Sequence, residues 1–406
     1  MTKFSRTVWV LSLVSLLADF ASEMLYPVMP VFLNHIGFSV ALIGLLEGMA
    51  EATAGLSKGY FGQMSDRRGE RVPFVRWGYF LSAVAKPLMV VWAWPLWVFA
   101  VRTLDRLGKG LRTGARDAML SAESTPETKA QVFGFHRSMD TFGAVLGPLV
   151  ALAYLHFRPG DYTTLFVLAF GPGLLSVAAT LFLRGETARG ETARGETARG
   201  ETARGETARG EGFFSFLTYW KSSTPAYRRL VLCLLAFAVF NSSDAFLLLK
   251  MKSAGATDVE VIGAYIFYNL VFALAAWPMG ILADKLGMKR VFLVGLVLFA
   301  FIYLGFALVT SLSAFYALFF LYGLYAAATD GVAKAWLTSL CNKKDAATAV
   351  GFYAGWQSVA ALAASLLAGV LWQFFGAVAP FAVSAFAVAG VLGFMALRLP
   401  RHVHEP

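Results

Sequence analysis

The chain has 406 residues, of which 58% are hydrophobic and only 15% charged, with 36 Phe and 10 Trp. Soluble chains do not repeatedly string apolar residues for twenty positions, which is about the length one bilayer crossing needs. The net charge of +10 therefore reads as loop topology and attraction to anionic lipid, and excludes a nucleic-acid footprint.

Counting apolar blocks gives an all-α integral membrane protein with twelve transmembrane helices. They fall at 8–33, 39–62, 75–94, 96–120, 131–155, 162–184, 229–249, 258–282, 289–309, 312–336, 346–374 and 377–399. The first block follows Lys3 and Arg6 as a signal peptide would. It is too long for one and lacks a small-residue cleavage site, so it reads as a retained helix. Bases collect in alternate loops: Arg67, Arg68, Arg71 and Arg76 after the second span, Lys129 after the fourth, Lys285, Lys289 and Arg290 after the eighth, and Lys343 and Lys344 after the tenth. The positive-inside rule then puts both termini in the cytoplasm, with the chain in the cell inner membrane. Cys233 and Cys341 have no ligand spacing, so no metal site is expected.

Charges concentrate in the first four spans. Asp19 lies about 16 Å into span 1 with Glu23 a turn deeper, and Glu51 and Glu47 lie at comparable depth in span 2. Span 3 carries Lys86. In span 4, Arg102, Asp105, Arg106, Lys109, Arg112 and Arg116 recur every three or four positions and so fall along one side of a helix. Such charges survive in a bilayer only when paired or when lining a wet cavity, and their usual use there is transport. A carboxylate that moves between a desolvated setting and one beside a base would load and unload a proton, so Asp19, Glu23, Glu47, Glu51, Arg102, Asp105, Arg106 and Lys109 are the candidate proton-coupling network. The alternative is a permanent ion-pair network that holds helices 1, 2 and 4 together.

Residues 186–210 are five copies of Glu-Thr-Ala-Arg-Gly, which have nothing to bury and read as a hydrated cytoplasmic linker. They divide the chain into an N-terminal six-helix bundle at 1–184, a linker at 185–228 and a C-terminal bundle at 229–406. The aromatic stretch from Phe213 to Tyr227 is expected along the membrane surface or as a plain connector. Beyond it, Asn241 and Asp244 interrupt span 7, Tyr265, Tyr268 and Asn269 mark span 8, Tyr325 marks span 10, and Trp356 and Gln357 mark span 11. Together with Lys86 these are the candidate substrate-cavity residues, a set suited to an amphipathic organic molecule.

The two halves repeat each other. Gly62-Gln-Met-Ser-Asp66-Arg67-Arg68-Gly69-Glu-Arg71 closes span 2, and Gly280-Ile-Leu-Ala-Asp284-Lys285-Leu-Gly287-Met-Lys289-Arg290 closes span 8. Gly114 to Leu120 matches Gly331 to Leu337, and Gly134-Phe135 matches Gly351-Phe352, both at an offset of 217. On these motifs the chain resembles the major facilitator superfamily over its whole length. Arg106 with Gly110 is similar to the family's fourth-helix arginine motif, and Gly143-x-x-x-Gly147-Pro148 to the core of the antiporter motif of drug/proton exporters. The resemblance implies two pseudo-symmetric six-helix halves and alternating access around a central cavity. Asp66, Arg67, Arg71, Asp284, Lys285, Lys289 and Arg290 are expected to gate it, the bases bridging the halves when the cytoplasmic side is closed.

The functional expectation is a secondary active transporter, proton-coupled, exporting a small organic compound. The alternatives are a symporter or facilitator for an anionic metabolite, or a lipid-handling or receptor-like protein on the same bundle. Protons are the expected coupling ion with no cofactor. A small-molecule substrate and membrane lipids are the expected partners of a functional monomer.

Overall fold

The computed structural model describes residues 4–183 and 212–398, apart from 27, 28, 30, 31, 34, 35, 39 and 93 and from the side chains of 40–48, 50–52, 258 and 398. The five linker repeats and the side chains of Glu47 and Glu51 lie outside the described residues.

The helices, in chain order, are α1 (Arg6–Glu23), α2 (Val40–Arg68), α3 (Val72–Leu88), α4 (Pro95–Ala122), α5 (Lys129–Phe157), α6 (Tyr162–Thr180), α7 (Pro225–Ala238), α8 (Ala245–Ser253), α9 (Asp258–Leu286), α10 (Met288–Leu308), α11 (Leu312–Ser339), α12 (Ala346–Phe375) and α13 (Ala379–Arg398). Their starts follow local chemistry. Ser5, Asp161 and Thr224 cap α1, α6 and α7 through their side chains, and Thr257 with Glu260 forms a capping box at α9. Helices α5, α6 and α9–α13 are each long and apolar enough to cross a membrane. By contrast, α1 carries Arg6, Asp19 and Glu23 within 18 residues, and α3 has only 17. The bundle shows large apolar side chains to its surroundings. Phe301, Leu366, Phe386 and Leu397 are all 60% or more exposed, a pattern that suits lipid and not water.

Two expected spans differ from their single-helix reading. The seventh, expected as one span at 229–249 with a polar interruption at Asn241 and Asp244, is α7 and α8 joined by a turn through Asn241-Ser242-Ser243-Asp244. Short polar side chains there compete with the helical ladder: Ser243 Oγ accepts from the Ala245 amide, and Asn241 N falls back to Ala238 O. The first, expected to run to residue 33, stops as α1 at Glu23, where Leu25 N and Tyr26 N both bond to Ser22 O. The expected span at 39–62 continues in α2 through Arg68, so Asp66 sits in a last helical turn and not in a loop.

Two seams join α1–α6 to α7–α13: α5 packs on α9, and α2 on α12. They are copies of one another. A side chain on Gly62 would collide with the Ala347 carbonyl oxygen, and one on Gly280 with that of Ala130; the two alanines are separated by the repeat offset of 217. Only glycine lets the backbones approach this closely. Ser138 adds a hydrogen bond to the Ala273 carbonyl across the α5–α9 seam. The segment after the linker does not lie on the surface as a whole. It forms short turns at Ser215–Thr218 and Tyr219–Ser222, buries Phe216 against Gly59, and stacks Trp220 on Phe352 at 5.8 Å.

Gly134 meets Ala276 and Gly280 across the α5–α9 seam, whereas Gly390 in α13 has nothing within 4 Å. Gly134→Val should therefore destabilise the purified protein by roughly 1–3 kcal/mol through overpacking. Gly390→Ala should leave it unchanged or slightly raised. Thermal unfolding in detergent compares the two.

Candidate functional site

The seams run to the end of the bundle that presents Arg67, Arg68, Lys285, Lys343 and Lys344, called here the base-rich face. There each half caps a helix of the other with a carboxylate. Asp66 accepts from Thr348 N at 2.7 Å and Thr348 Oγ1 at 2.8 Å in the first turn of α12. Asp284 accepts from Ala130 N at 2.9 Å and Gln131 N at 2.7 Å in the first turn of α5. A carboxylate at a helix N-terminus satisfies orphan amides and meets the positive end of the dipole. Arg71 adds a 3.0 Å hydrogen bond to the Lys343 carbonyl.

Of the motif's bases, Arg71 thus makes a link between the halves, while Lys289 donates to the Ala396 carbonyl within its own half and Arg67, Lys285 and Arg290 are exposed. The two acids add cross-half contacts to backbone amides, which a carboxylate can accept from and a base cannot.

Between the seams lies a cavity of about 410 Å³. Its α1–α6 wall offers Asp19 and Glu23 from the end of α1, Lys109 from α4, and Arg137 and Thr141 from α5. The opposite wall offers Asn241 and Asp244 from the α7–α8 break, Tyr265, Tyr268 and Asn269 from α9, Tyr322, Tyr325, Asp330 and Lys334 from α11, and Tyr353 and Gln357 from α12. The break in the seventh column brings Asp244 to the cavity, where its carboxylate accepts from both Tyr268 and Tyr322 at 2.5 Å. Glu23, where α1 ends, accepts from Tyr265 of the other half at 3.1 Å. Interrupted helices thus supply one acid to each wall.

Several candidates are not where the sequence placed them. The α4 charges do not share one environment. Lys109 faces the cavity; Arg102, Asp105 and Arg106 line a separate side pocket of about 40 Å³ with Lys86 and Glu23. Arg112 turns to α3, donating to Ser82 Oγ at 2.7 Å with its guanidinium over the Tyr79 ring. Lys86, expected at the substrate, is buried and donates to the Ser82 carbonyl at 3.0 Å. Trp356 is 40% exposed and is not part of the cavity wall, because the residue after it, Gln357, takes the inward position.

Sequence reasoning did not pair the members of a charged cluster that reaches the cavity wall. Arg137 pairs with Asp140 at 2.5 Å and Asp330 at 2.6 Å; Asp117 pairs with Arg116 at 2.9 Å and Lys334 at 3.4 Å. A usable signal was present: Asp117 and Lys334 are 217 positions apart and opposite in charge.

The Major Facilitator Superfamily profile matches residues 11–267 and 230–406, and the chain belongs to that superfamily. An uncharacterized MFS-type transporter of Methanocaldococcus jannaschii is 29% identical over 377 residues, covering 91% of this chain and 89% of its own. Two solved structures share the fold. The human organic anion transporter MFSD10 has a TM-score of 0.75 at 16% identity, covering 96% of this chain and 99% of its own. A variant of the Escherichia coli fucose:proton symporter FucP has a TM-score of 0.73 at 10% identity, covering 96% and 98%. The chain is thus an MFS transporter of all-α membrane fold.

Asp66 lies beyond the apolar run that ends at residue 62. Burial beneath α12 pushes its carboxyl from 3.8 up to about 6, against the pull of the Thr348 donors. A carboxyl that holds its proton more tightly while the seam is joined favours the joined state below its raised pKa, and that advantage fades above it. Lowering pH from 7 to 5 should therefore raise the ratio of joined to separated molecules by about tenfold through this group. Asp66→Asn should remove that share of the dependence, as read from distances between spin labels on α2 and α12.

Proposed function

We propose that the protein is a secondary active transporter that works by alternating access, with proton entry driving export of a small amphipathic organic compound. The observation that carries this reading is the cavity wall where Asp19, Glu23 and Lys109 face tyrosines and amides of the other half. A carboxylate beside a base in a cavity that changes its access to water is a proton-exchange site. The tyrosine and amide wall gives an amphipathic molecule both ring surface and hydrogen-bond partners. In this reading the base-rich face is cytoplasmic, the membrane is the cell inner membrane, both termini are inside, and one chain suffices.

Lys109 favours a second reading, transport of an organic anion, since its side chain is exposed within the cavity near Arg137. Fixed positive charge in a cavity attracts anions. Symport or facilitated diffusion of an anionic metabolite would use the same wall.

Purified protein in proteoliposomes with an imposed pH gradient separates these readings. A panel of amphipathic cations, neutral compounds and organic anions should contain a substrate whose flux collapses with an uncoupler. Asp19→Asn or Glu23→Gln should reduce gradient-driven flux by about tenfold or more while sparing downhill exchange. Flux indifferent to both gradient and uncoupler would rule out proton coupling. Loss of anion flux alone in Lys109→Gln would favour the second reading.

A further inference from the structure

Apart from the central cavity, the second half carries a groove of about 520 Å³ on its outer surface, between α7 and α13. Leu232, Ala236 and Phe240 form one side and Ala387, Gly390 and Phe394 the other, at spacings of three and four that put each set on one helix face. Every side chain that lines the groove is apolar, and Leu232 and Phe394 at its rim are 57% and 56% exposed. Small residues make the depression: a side chain added at Gly390 would meet nothing within 4 Å.

Charge marks one end of this groove. Helix α7 starts and α13 finishes at the base-rich face: Thr224, which caps α7, donates to the Leu340 carbonyl just past α11, and Lys289 donates to the Ala396 carbonyl near the end of α13. Arg228 and Arg229 lie near the start of α7. Arg229 is exposed and precedes Leu232 by three residues and Ala236 by seven, which puts it on the groove face. Arg398 closes α13 four positions after Phe394. Neither helix contains an acidic residue. From Arg229 to Phe240 the face runs about 16 Å along the helix axis, the depth of one leaflet of a hydrocarbon core roughly 30 Å thick.

We propose that the α7–α13 groove binds an anionic diacyl phospholipid of the surrounding bilayer, with the headgroup phosphate at Arg228 and Arg229 and one acyl chain along the apolar wall. Guanidinium groups pair closely with phosphate oxygens, and a basic pocket between membrane helices selects acidic headgroups. A zwitterionic lipid offers the same chain but carries a cation that opposes the arginines. A second copy of the chain fits less well than a lipid. A two-fold axis along the membrane normal would bring the same arginines of both copies together, like charge on like. The site stands apart from the transport reading, since no residue of the central cavity belongs to it.

Two photoactivatable phospholipids with the same diazirine-bearing acyl chain, a phosphatidylglycerol and a phosphatidylcholine, test the site in full-length protein in phosphatidylcholine nanodiscs. Peptide mass spectrometry after irradiation locates the label. The phosphatidylglycerol probe should label the groove residues about 25-fold more than the phosphatidylcholine probe, at about fivefold for each arginine. Arg229→Gln should lower that ratio about fivefold, and Arg229→Lys should keep it. Ala236→Phe, which fills the groove and leaves the arginines in place, should remove the label of both probes from α7 and α13. If that variant fails to fold, Gly390→Leu makes the same test. Equal labelling by the two probes in the unaltered protein overturns the proposal, and so does a ratio that survives loss of both arginines. Groove residues that neither probe labels overturn it as well, and a dimer in native mass spectrometry would then assign the groove to a second copy.

Discussion

A charge inside a membrane bundle must find an opposite charge, a hydrogen-bond donor or water, and the interior of this protein is arranged around that requirement. Arg112 lies over Tyr79 and donates to Ser82, Arg116 holds Asp117, and Arg137 lies between Asp140 and Asp330. These contacts tie α4 to α3 and α5 to α11, while Lys109 extends into the cavity. The same requirement explains why charge-rich α1 and α4 fall short of simple spanning segments, and why the apolar columns α6, α10 and α13 carry none of these pairs.

The two seams show how a duplicated unit makes a joint. Gly62 and Gly280 each face an alanine carbonyl, and Asp66 and Asp284 each cap a helix of the opposite half, so the close approach and the cap of one seam are repeated on the other. Small residues set the distance of approach, and the carboxylates set its end point. Above this joint the walls diverge in chemistry: the tyrosines and amides all lie on the α7–α13 side, which carries Asp244, Asp330 and Lys334 among them, and the α1–α6 side offers chiefly carboxylates and bases. The glycine contacts and helix caps of the joint are repeated, and the lining of the cavity is not.

Much of this was legible in the sequence. Runs of about twenty apolar residues gave the helix columns, and the repeated Gly-x-x-x-Asp motifs marked the joint, because both signals are local. Two helix breaks were harder to read. Asn241 to Asp244 was visible as a polar interruption, but only packing shows that it parts α7 from α8 and delivers Asp244 to two tyrosines. The α4 charges read as one stripe because three- and four-residue spacing is nearly in line. Over 15 residues, from Arg102 to Arg116, the drift of a 3.6-residue turn together with long side chains spreads them among a side pocket, the cavity and two neighbouring helices. Lys86 was misplaced because depth alone does not say which face of a helix a residue occupies. The Asp117–Lys334 pair was within reach: equivalent repeat positions of opposite charge are candidates for contact across an axis.

The central claim is that two halves joined at the base-rich face turn about a cavity lined by both. It is tested most directly by measuring two label distances on the same seam in one sample set, one at Thr125 and Lys285 and the other at Phe157 and Val259, where α5 ends and α9 begins and both residues are exposed. Across a series of pH values and candidate substrates, populations at the two ends should be anticorrelated, one pair separating as the other closes. Two distances that lengthen together, or a base-rich pair that never leaves its joined distance while transport proceeds, would contradict the account.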